Sequence, residues 1–304
     1  MTSLRITASI FARTTRSRLA DKFFRAVTLA FAVAIIAITL FICYELYLNS
    51  KLSIVKFGWA FLWNTTWDPV FQEFGALPFL YGTLVTSFIA VLIATPVGLG
   101  VAIFLSELAP SWLSDPIAFM VELLAAIPSV IYGLIGIFIL VPTLRKLGAP
   151  YGVGMLTAGL LLAVMILPFI TSISREVLIA VPRAQREAAL SLGATKWETT
   201  WMAVLPYARS GIVGSIFLAL ARALGETMAV TMVIGNRPDI SLSLFEPGYT
   251  MAAVIANEFT EATYDLYINA LVEVGLFLFA VTIVINALAR LLILSVAKKV
   301  DVRE

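Results

Sequence analysis

Six long stretches of apolar residues dominate this chain of 304 residues. Each is about 20 residues or longer, the length with which an α-helix crosses roughly 30 Å of hydrocarbon. Because 61% of the residues are hydrophobic and only 13% are charged, the chain lacks the polar groups to cover itself in water. The sequence therefore predicts an all-α membrane protein, in contact with membrane lipid, with six transmembrane helices at about 26–47, 79–105, 117–142, 153–173, 208–234 and 266–294.

The basic residues are distributed unevenly between the loops. Fifteen Lys and Arg residues lie in the N-terminal segment, the fourth connection and the tail, and five lie in the alternate loops. Basic loops are retained in the cytoplasm, so both termini and residues 175–208 are expected on that side, with 48–78 and 235–265 outside. Residues 1–25 are interpreted as a cytoplasmic basic segment, or alternatively as a transit peptide. No linker divides residues 26–304, which are expected to form one membrane domain.

Several kinds of chemistry are excluded by composition. The chain has no His and one Cys, Cys43, which argues against imidazole metal sites, a Ser-His-Asp triad and an intrachain disulfide. We expect no metal, no cofactor and no catalytic residue. A net charge of +2 does not favour nucleic-acid binding. The sequence also lacks a G-x-x-x-x-G-K-[ST] phosphate loop, so any ATP hydrolysis has to take place on a partner.

The connection at about 182–206 has the pattern of two short helices. Pro182 suits a first helical position, and Gly193 suits a left-handed helix stop. Thr195 with Glu198 forms a capping-box pattern that begins a second helix. One face of the first helix is apolar and needs a surface to cover it. A partner protein is the leading interpretation, and the lipid surface is the alternative.

Charged residues also occur within the apolar stretches. Arg222 and Glu226 lie in the fifth stretch, where a charge must face protein or water because its burial in lipid is costly. In one interpretation Arg222 attracts an anion along a translocation pathway and Glu226 holds its guanidinium. In the other they form a helix-packing pair at i, i+4. Glu122 and Glu273 lie near span ends, where snorkelling or helix-end packing is expected rather than a pathway role.

Three tryptophans, Trp59, Trp63 and Trp67, lie in the loop at about 48–78. Tryptophan favours the membrane–water interface. Packing under a small cap on the outer side is an equally supported interpretation.

The 182–206 loop resembles a known motif. Glu187, Ala188 and Ala189, followed by Gly193 and by a Val-Leu-Pro sequence ending at Pro206, are similar to the EAA loop of bacterial ABC-importer permeases. Ala203 stands where that pattern has an aliphatic residue. The resemblance implies that the loop docks on a separate ATP-hydrolysing subunit and that Glu187, Ala188, Ala189 and Gly193 belong to the coupling surface. It implies an importer core at about 79–294.

An ordered set of further segments narrows the resemblance to the C-type permease of the phosphate-specific transport system: 57–63, 81–88, 107–110, 122–134 and 222–230. It implies a type I ABC-importer architecture in the bacterial inner membrane and import of phosphate. The implied partners are a related A-type permease, two copies of an ATP-binding subunit and an external phosphate-binding protein. Arg222 and Glu226 match functional positions of that family.

Other functions stay open at this point. The permease could carry another oxyanion, such as phosphonate, sulfate or molybdate. A membrane receptor or scaffold that recruits a regulator through the 182–206 loop is a different class. An intramembrane enzyme is disfavoured because the sequence contains no His and no evident cluster of metal ligands.

Overall fold

The computed structural model describes the backbone of residues 2–301 and the side chains of residues 21–295. No β-strand occurs in residues 2–301, only isolated bridges between Asp68 and Glu73 and between Gly235 and Gly248. Three π-helical turns are present at Phe104–Leu108, Gly136–Leu140 and Thr200–Val204. The α-helices of this range are α1 (Thr2–Asn49), α2 (Lys51–Phe57), α3 (Ala60–Trp63), α4 (Leu77–Ile103), α5 (Ser111–Ala126), α6 (Ser129–Ile135), α7 (Val141–Lys146), α8 (Met155–Ile179), α9 (Arg183–Ser191), α10 (Lys196–Thr199), α11 (Leu205–Leu224), α12 (Met228–Thr231), α13 (Met251–Glu258) and α14 (Asp265–Asp301).

The predicted number of membrane spans is confirmed. Among the described residues, six helical segments are long and apolar enough to cross a membrane. They are Asp21–Asn49, Leu77–Leu108, Ser129–Lys146, Met155–Ile179, Lys196–Leu224 and Asp265–Ser295. The third and the fifth differ from the sequence-based boundaries.

The third predicted span, 117–142, is not one continuous helix. Helix α5 ends at Ala126, and Ile127 and Pro128 have extended backbone before α6 begins at Ser129. Proline disfavours the helical conformation of the residue before it and supplies no N–H of its own. The spanning segment therefore begins at Ser129, and α5 precedes it as a separate helix.

The fifth predicted span, 208–234, begins and ends earlier than expected. Helix α11 ends at Leu224, and Gly225 to Thr227 lead into the single turn of α12. The next residues return to the protein interior, where Val230, Val233 and Ile234 are fully or almost fully buried. A segment buried in protein has the same apolar composition as a membrane helix, so hydropathy alone places no break here.

The chain forms two compact units. The first ends at Asn49 and the second begins at Ser50. The first unit contains the single continuous helix α1, most of whose described side chains are exposed. The second contains the remaining helices. The proposed division at residue 25 stays a prediction. The basic residues before Asp21 and after Ser295, which the orientation argument uses, lie outside the described side chains.

Buried side chains of the second unit form three clusters. The central cluster follows α8 and includes Leu162, Ile166, Ala219 of α11 and Val230 of α12. Helices α4 and α8 approach closely at Gly98, as shown by the distance of 3.1 Å that a Cβ built there would have to Ile170. Small residues allow such close packing in membranes. The basal cluster joins the ends of α4, α8 and α11 near the 182–206 loop, through Ala102, Ile103, Leu178, Val181, Val204, Ala208 and Ile212.

The third cluster is rich in aromatic residues and contains one of the three tryptophans of the 48–78 loop. Trp67 is buried against Phe74 and Phe79, with ring centroids 4.8 Å apart in both contacts. Its indole Nε1 donates a hydrogen bond to Glu258 (2.7 Å). Trp59 and Trp63 are instead exposed. The cap interpretation therefore holds for Trp67, whereas the other two tryptophans remain available to an interface.

Candidate coupling loop and intramembrane arginine

The 182–206 connection folds as its sequence predicts, with two local differences. Helix α9 is followed by Gly193 at φ +89°, the left-handed stop expected of glycine. Thr195 and Glu198 make both bonds of the capping box at the start of α10. Pro182 lies one residue before the helix rather than inside it. Helix α10 then continues through a π-helical turn into α11, so the second helix of the connection is not a separate short helix.

The proposed coupling residues lie at the surface of this loop. Glu187, Ala188 and Gly193 are exposed, and Ala189 is half-buried. Leu192 beside them is 89% exposed. A surface of this kind is typical of an interaction site because exposed apolar side chains lower the free energy when a partner covers them.

An aromatic pair extends the exposed apolar surface and was missed in the sequence analysis. Trp197 and Trp201 stack with ring centroids 6.1 Å apart, and both are more than half exposed. Their i, i+4 spacing was the available signal, since such residues are neighbours on one helix face.

The role of Arg186, another residue of this loop, was also missed, because the sequence analysis counted it only as a positive charge. Its guanidinium makes two bonds to Glu107, from Nη2 to Oε1 at 2.8 Å and from Nε to Oε2 at 3.2 Å. Nη2 also donates to the carbonyl of Leu178 at 2.7 Å, and Nη1 to that of Val181. The loop is thereby attached to the ends of α4 and α8. No sequence signal connects Arg186 with Glu107.

Arg222 lies in the last turn of α11, where a cation interacts favourably with the helix dipole. Its Cζ lies 4.4 Å from the centroid of the Phe169 ring, which is a cation–π contact. Phe169 is near the middle of α8, about 21 Å from Met155 and about 15 Å from Ile179 at the usual helical rise. Arg222 as a whole is exposed within the chain. It is thus presented at mid-depth of the helix bundle.

Glu226 does not share a helix with Arg222, which corrects the expected i, i+4 geometry. The helix ends at Leu224, and Glu226 lies in the break before α12. Its Oε1 accepts a hydrogen bond from the N–H of Ala229 at 3.3 Å. Arg222 and Glu226 form no ion pair within the described part of the chain. The structure therefore does not support the packing-pair interpretation or the view that Glu226 holds the guanidinium.

The helices that follow the breaks in the third and fifth apolar stretches, α6 and α12, pack against each other. Gly133 of α6 packs against α12, where a Cβ would overlap Sδ of Met232 and lie 3.3 Å from Cα of Ala229. Non-helical backbone at membrane depth is tolerated where it is buried in protein or lines a water-filled cavity. Among the described residues, a Cβ built on Gly225 would have one neighbour within 4 Å, the carbonyl oxygen of Ala221 in the preceding helix.

Glu273 is more deeply buried than the sequence analysis suggested. Only 2% of the residue is exposed, and its Oε2 has no hydrogen-bond partner among the described residues. Snorkelling therefore does not describe Glu273, whereas Glu122 is exposed. The described residues contain no group of three or more His, Cys, Asp and Glu side chains that could hold a metal ion.

Solved structures of ABC-transporter membrane subunits share this fold. In one crystal form of the MetNI methionine ABC transporter, described as inward facing, the matched chain gives a TM-score of 0.60 at 18% identity. The match covers 76% of this chain and 99% of that chain. A second crystal form gives a TM-score of 0.57 at 19% identity, covering 71% and 94%. At these identities the likeness concerns the fold.

Sequence comparison gives much closer relatives. The phosphate transport system permease protein PstC of Mesorhizobium japonicum is 47% identical, with 92% of each chain covered. The protein of the same name from Pasteurella multocida is 46% identical over 91% of this chain and 92% of its own. PstC 2 of Mycobacterium tuberculosis is 41% identical, over 85% and 86%.

A family model agrees with these relatives. Residues 94–302 match the model of the binding-protein-dependent transport system inner membrane component. With the six apolar helices, this match identifies a multi-pass protein of the bacterial inner membrane and a permease subunit of a transporter. The chain belongs to the binding-protein-dependent inner-membrane permease family and, within it, to the phosphate transport system permease proteins.

Proposed function

We propose that this chain is the membrane-spanning subunit through which an ATP-driven importer moves inorganic phosphate across the bacterial inner membrane. The names of its relatives supply the substrate. The observation on which the proposal mainly rests is that Arg222 is exposed at mid-depth and has no carboxylate partner among the described residues. A guanidinium remains charged and can donate two parallel hydrogen bonds to an oxyanion.

Arg222 and Glu226 have separate tasks in this proposal. Arg222 attracts phosphate into the pathway and lowers the cost of its desolvation. Glu226 organises the break after α11, since its carboxylate accepts the Ala229 N–H, and its negative charge near the pathway prevents phosphate from being held too tightly.

The proposed partners follow from the family and from the loop. The 182–206 loop docks in a cleft of a separate ATP-binding subunit, with Glu187, Ala188, Ala189 and Gly193 in the contact. Two copies of that subunit, one related A-type permease and one external phosphate-binding protein complete the assembly. In this arrangement both termini and residues 175–208 are cytoplasmic, and ATP is hydrolysed on the partner.

Uptake of radiolabelled phosphate tests the proposed transport directly. Membrane vesicles that contain the chain with its ATP-binding subunit should accumulate phosphate in an ATP-dependent manner, and vesicles without that subunit should not. Excess sulfate, molybdate or a phosphonate should compete poorly. Strong competition by one of these would reassign the substrate, and recruitment of the subunit without any oxyanion uptake would support a scaffold instead.

A further inference from the structure

One partly buried contact joins the 182–206 loop to two membrane helices. Glu107 lies in the π-helical turn that follows α4, and Arg186 lies in α9. Their side chains are 9% and 21% exposed. The two parallel bonds of 2.8 and 3.2 Å fix the direction as well as the distance between the elements, because a guanidinium and a carboxylate are both planar.

The same guanidinium also attaches to α8. It donates to the carbonyl of Leu178, in the last turn of α8, and to that of Val181 just beyond the helix. Carbonyls at a helix end have no partner within the helix, so a cation there satisfies them. Arg186 therefore joins α9, the end of α8 and the end of α4 at one point.

Apolar packing and a second polar contact stabilise this junction. The basal cluster lies beside it, with Ile103, Leu178 and Val204 from the three neighbouring segments. Ser114 Oγ donates to the carbonyl of Leu105 at 2.7 Å, which attaches the start of α5 to the same π-helical turn. π-Helical turns are frequent at functional positions. The carboxylate of Glu176, by contrast, is 70% exposed and pairs with the adjacent Arg175.

Helix α8 extends from the junction to the level of Arg222. Thr171 Oγ1 donates to the carbonyl of Gly98 at 3.2 Å, so α8 and α4 are joined again halfway along. Phe169, two residues away, carries the cation–π contact with Arg222. A series of contacts between named groups therefore runs from α9 through α8 to the arginine.

We propose that the Arg186–Glu107 pair is the coupling joint of this permease. It forces α4 and α8 to move with α9, so that motion of a docked ATP-binding subunit reaches Arg222. The pair contacts neither phosphate nor ATP, and both of its members are positioning residues. This inference rests on the proposed docking of the 182–206 loop, whereas the identity of the joint is a separate claim.

The test measures phosphate transported per ATP hydrolysed in proteoliposomes that contain the complete transporter. Glu107→Gln keeps the shape of the side chain but removes the charge. The variant should still bind the ATP-binding subunit and hydrolyse ATP, while the ratio falls about two- to thirtyfold, the range expected for loss of a coupling contact. Glu176→Gln is the matched control, since it makes the same change at a carboxylate that is 70% exposed and pairs with the adjacent Arg175, and its ratio should equal that of the unmodified protein.

Arg186→Lys is a second variant in case Glu107→Gln does not accumulate in the membrane. It keeps the positive charge but cannot make the paired bonds, so we expect an intermediate ratio at a normal membrane level. If either variant is present in the membrane and has the same ratio as the unmodified protein, the proposed coupling joint is wrong. If instead the unmodified chain failed to bind the ATP-binding subunit, the proposed docking would be wrong. Co-purification distinguishes the two failures.

Discussion

At the scale of single residues, the charged side chains within the bundle have different environments. Arg222 lies against an aromatic ring and is exposed, whereas Glu273 is buried without a hydrogen bond to its Oε2 among the described residues. Hydropathy treats both simply as charges in an apolar stretch. Their surroundings give them different expected roles, one in the pathway and one in packing.

For Arg222 we expect the fixed charge to matter more than any pairing with Glu226. Arg222→Gln should reduce phosphate uptake by at least about tenfold, as expected for loss of a charge-assisted contact. Adding Glu226→Gln should not restore uptake, because the two residues form no ion pair in the described structure. Arg222→Lys should retain partial activity, since it keeps the charge and the possibility of a cation–π contact with Phe169.

The measurement for these variants is uptake in cells without other phosphate importers, normalised to the amount of protein in the membrane. Near-normal uptake by the variant with both Arg222→Gln and Glu226→Gln would show that Arg222 has no role in the phosphate pathway. It would favour a role in packing between helices.

For Glu273 we expect a structural role. Glu273→Gln replaces a buried carboxyl by an amide of similar size that carries no charge. Because burying an unpaired charge is costly, the midpoint temperature of thermal unfolding of the extracted protein should stay the same or rise. Phosphate uptake should stay within about twofold of normal, the scatter expected of a neutral change. Glu122→Gln at an exposed position is the control. A severe loss of uptake at a normal membrane level would place Glu273 in the pathway.

At the scale of elements, helix-ending and helix-capping residues decide the direction of the 182–206 loop and the positions at which the apolar stretches are interrupted. Gly193 ends α9 and the capping box begins α10. Ile127 with Pro128, and Gly225 to Thr227, break the third and fifth apolar stretches. These local signals act within about one helical turn, so they can be interpreted from sequence once the conformation of each residue is considered.

Replacement of Gly193 tests the importance of the loop direction. At φ +89° a β-branched residue is strongly disfavoured, at roughly 1–2 kcal/mol for the left-handed conformation. Gly193→Val should insert normally, because the spans are unchanged, but should lose most co-purification of the ATP-binding subunit and most uptake.

Gly148→Val is the control for Gly193. Gly148 also has positive φ, at +99°, and, as for Gly193, no atom lies within 4 Å of a Cβ built there. The substitution therefore introduces the same type of strain outside the loop, and uptake should be retained. Equal behaviour of the two variants would argue against docking through the 182–206 loop.

At the scale of the whole molecule, the second unit has the fold of an ABC-importer membrane subunit. Two features that the function needs are far apart in it. The loop surface around Ala188 lies beyond the basal ends of the helices, and Arg222 lies at mid-depth level with Phe169. Helices α4 and α8, joined at Gly98 and Thr171, connect these levels.

The orientation of the molecule gives a further prediction. Single cysteines introduced at Ala188 and at Val70, both exposed, would be placed in a Cys43→Ser background. An impermeant thiol reagent added to intact cells should label the Val70 position and not the Ala188 position until the membrane is permeabilised. The reason is the excess of basic residues on the side of residues 175–208. Labelling of the Ala188 position in intact cells would reverse the topology.

The sequence by itself determined the features that depend on neighbours along the chain. These are the six apolar segments, the left-handed stop at Gly193, the capping box at Thr195 and the resemblance of the 182–206 loop to a coupling loop. Each follows from residues within about one turn or one span, because helix propensity, capping and hydropathy are local properties.

Only the tertiary structure decided which distant groups meet. Arg186 and Glu107 are 79 residues apart, and Trp67 and Glu258 are 191 apart. It also separated Arg222 from Glu226, which the sequence had suggested as a pair, by ending a helix between them. The physical reason is that the energy of a buried charge or indole N–H depends on the partner and solvent around it, and that surrounding exists only after the helices have packed.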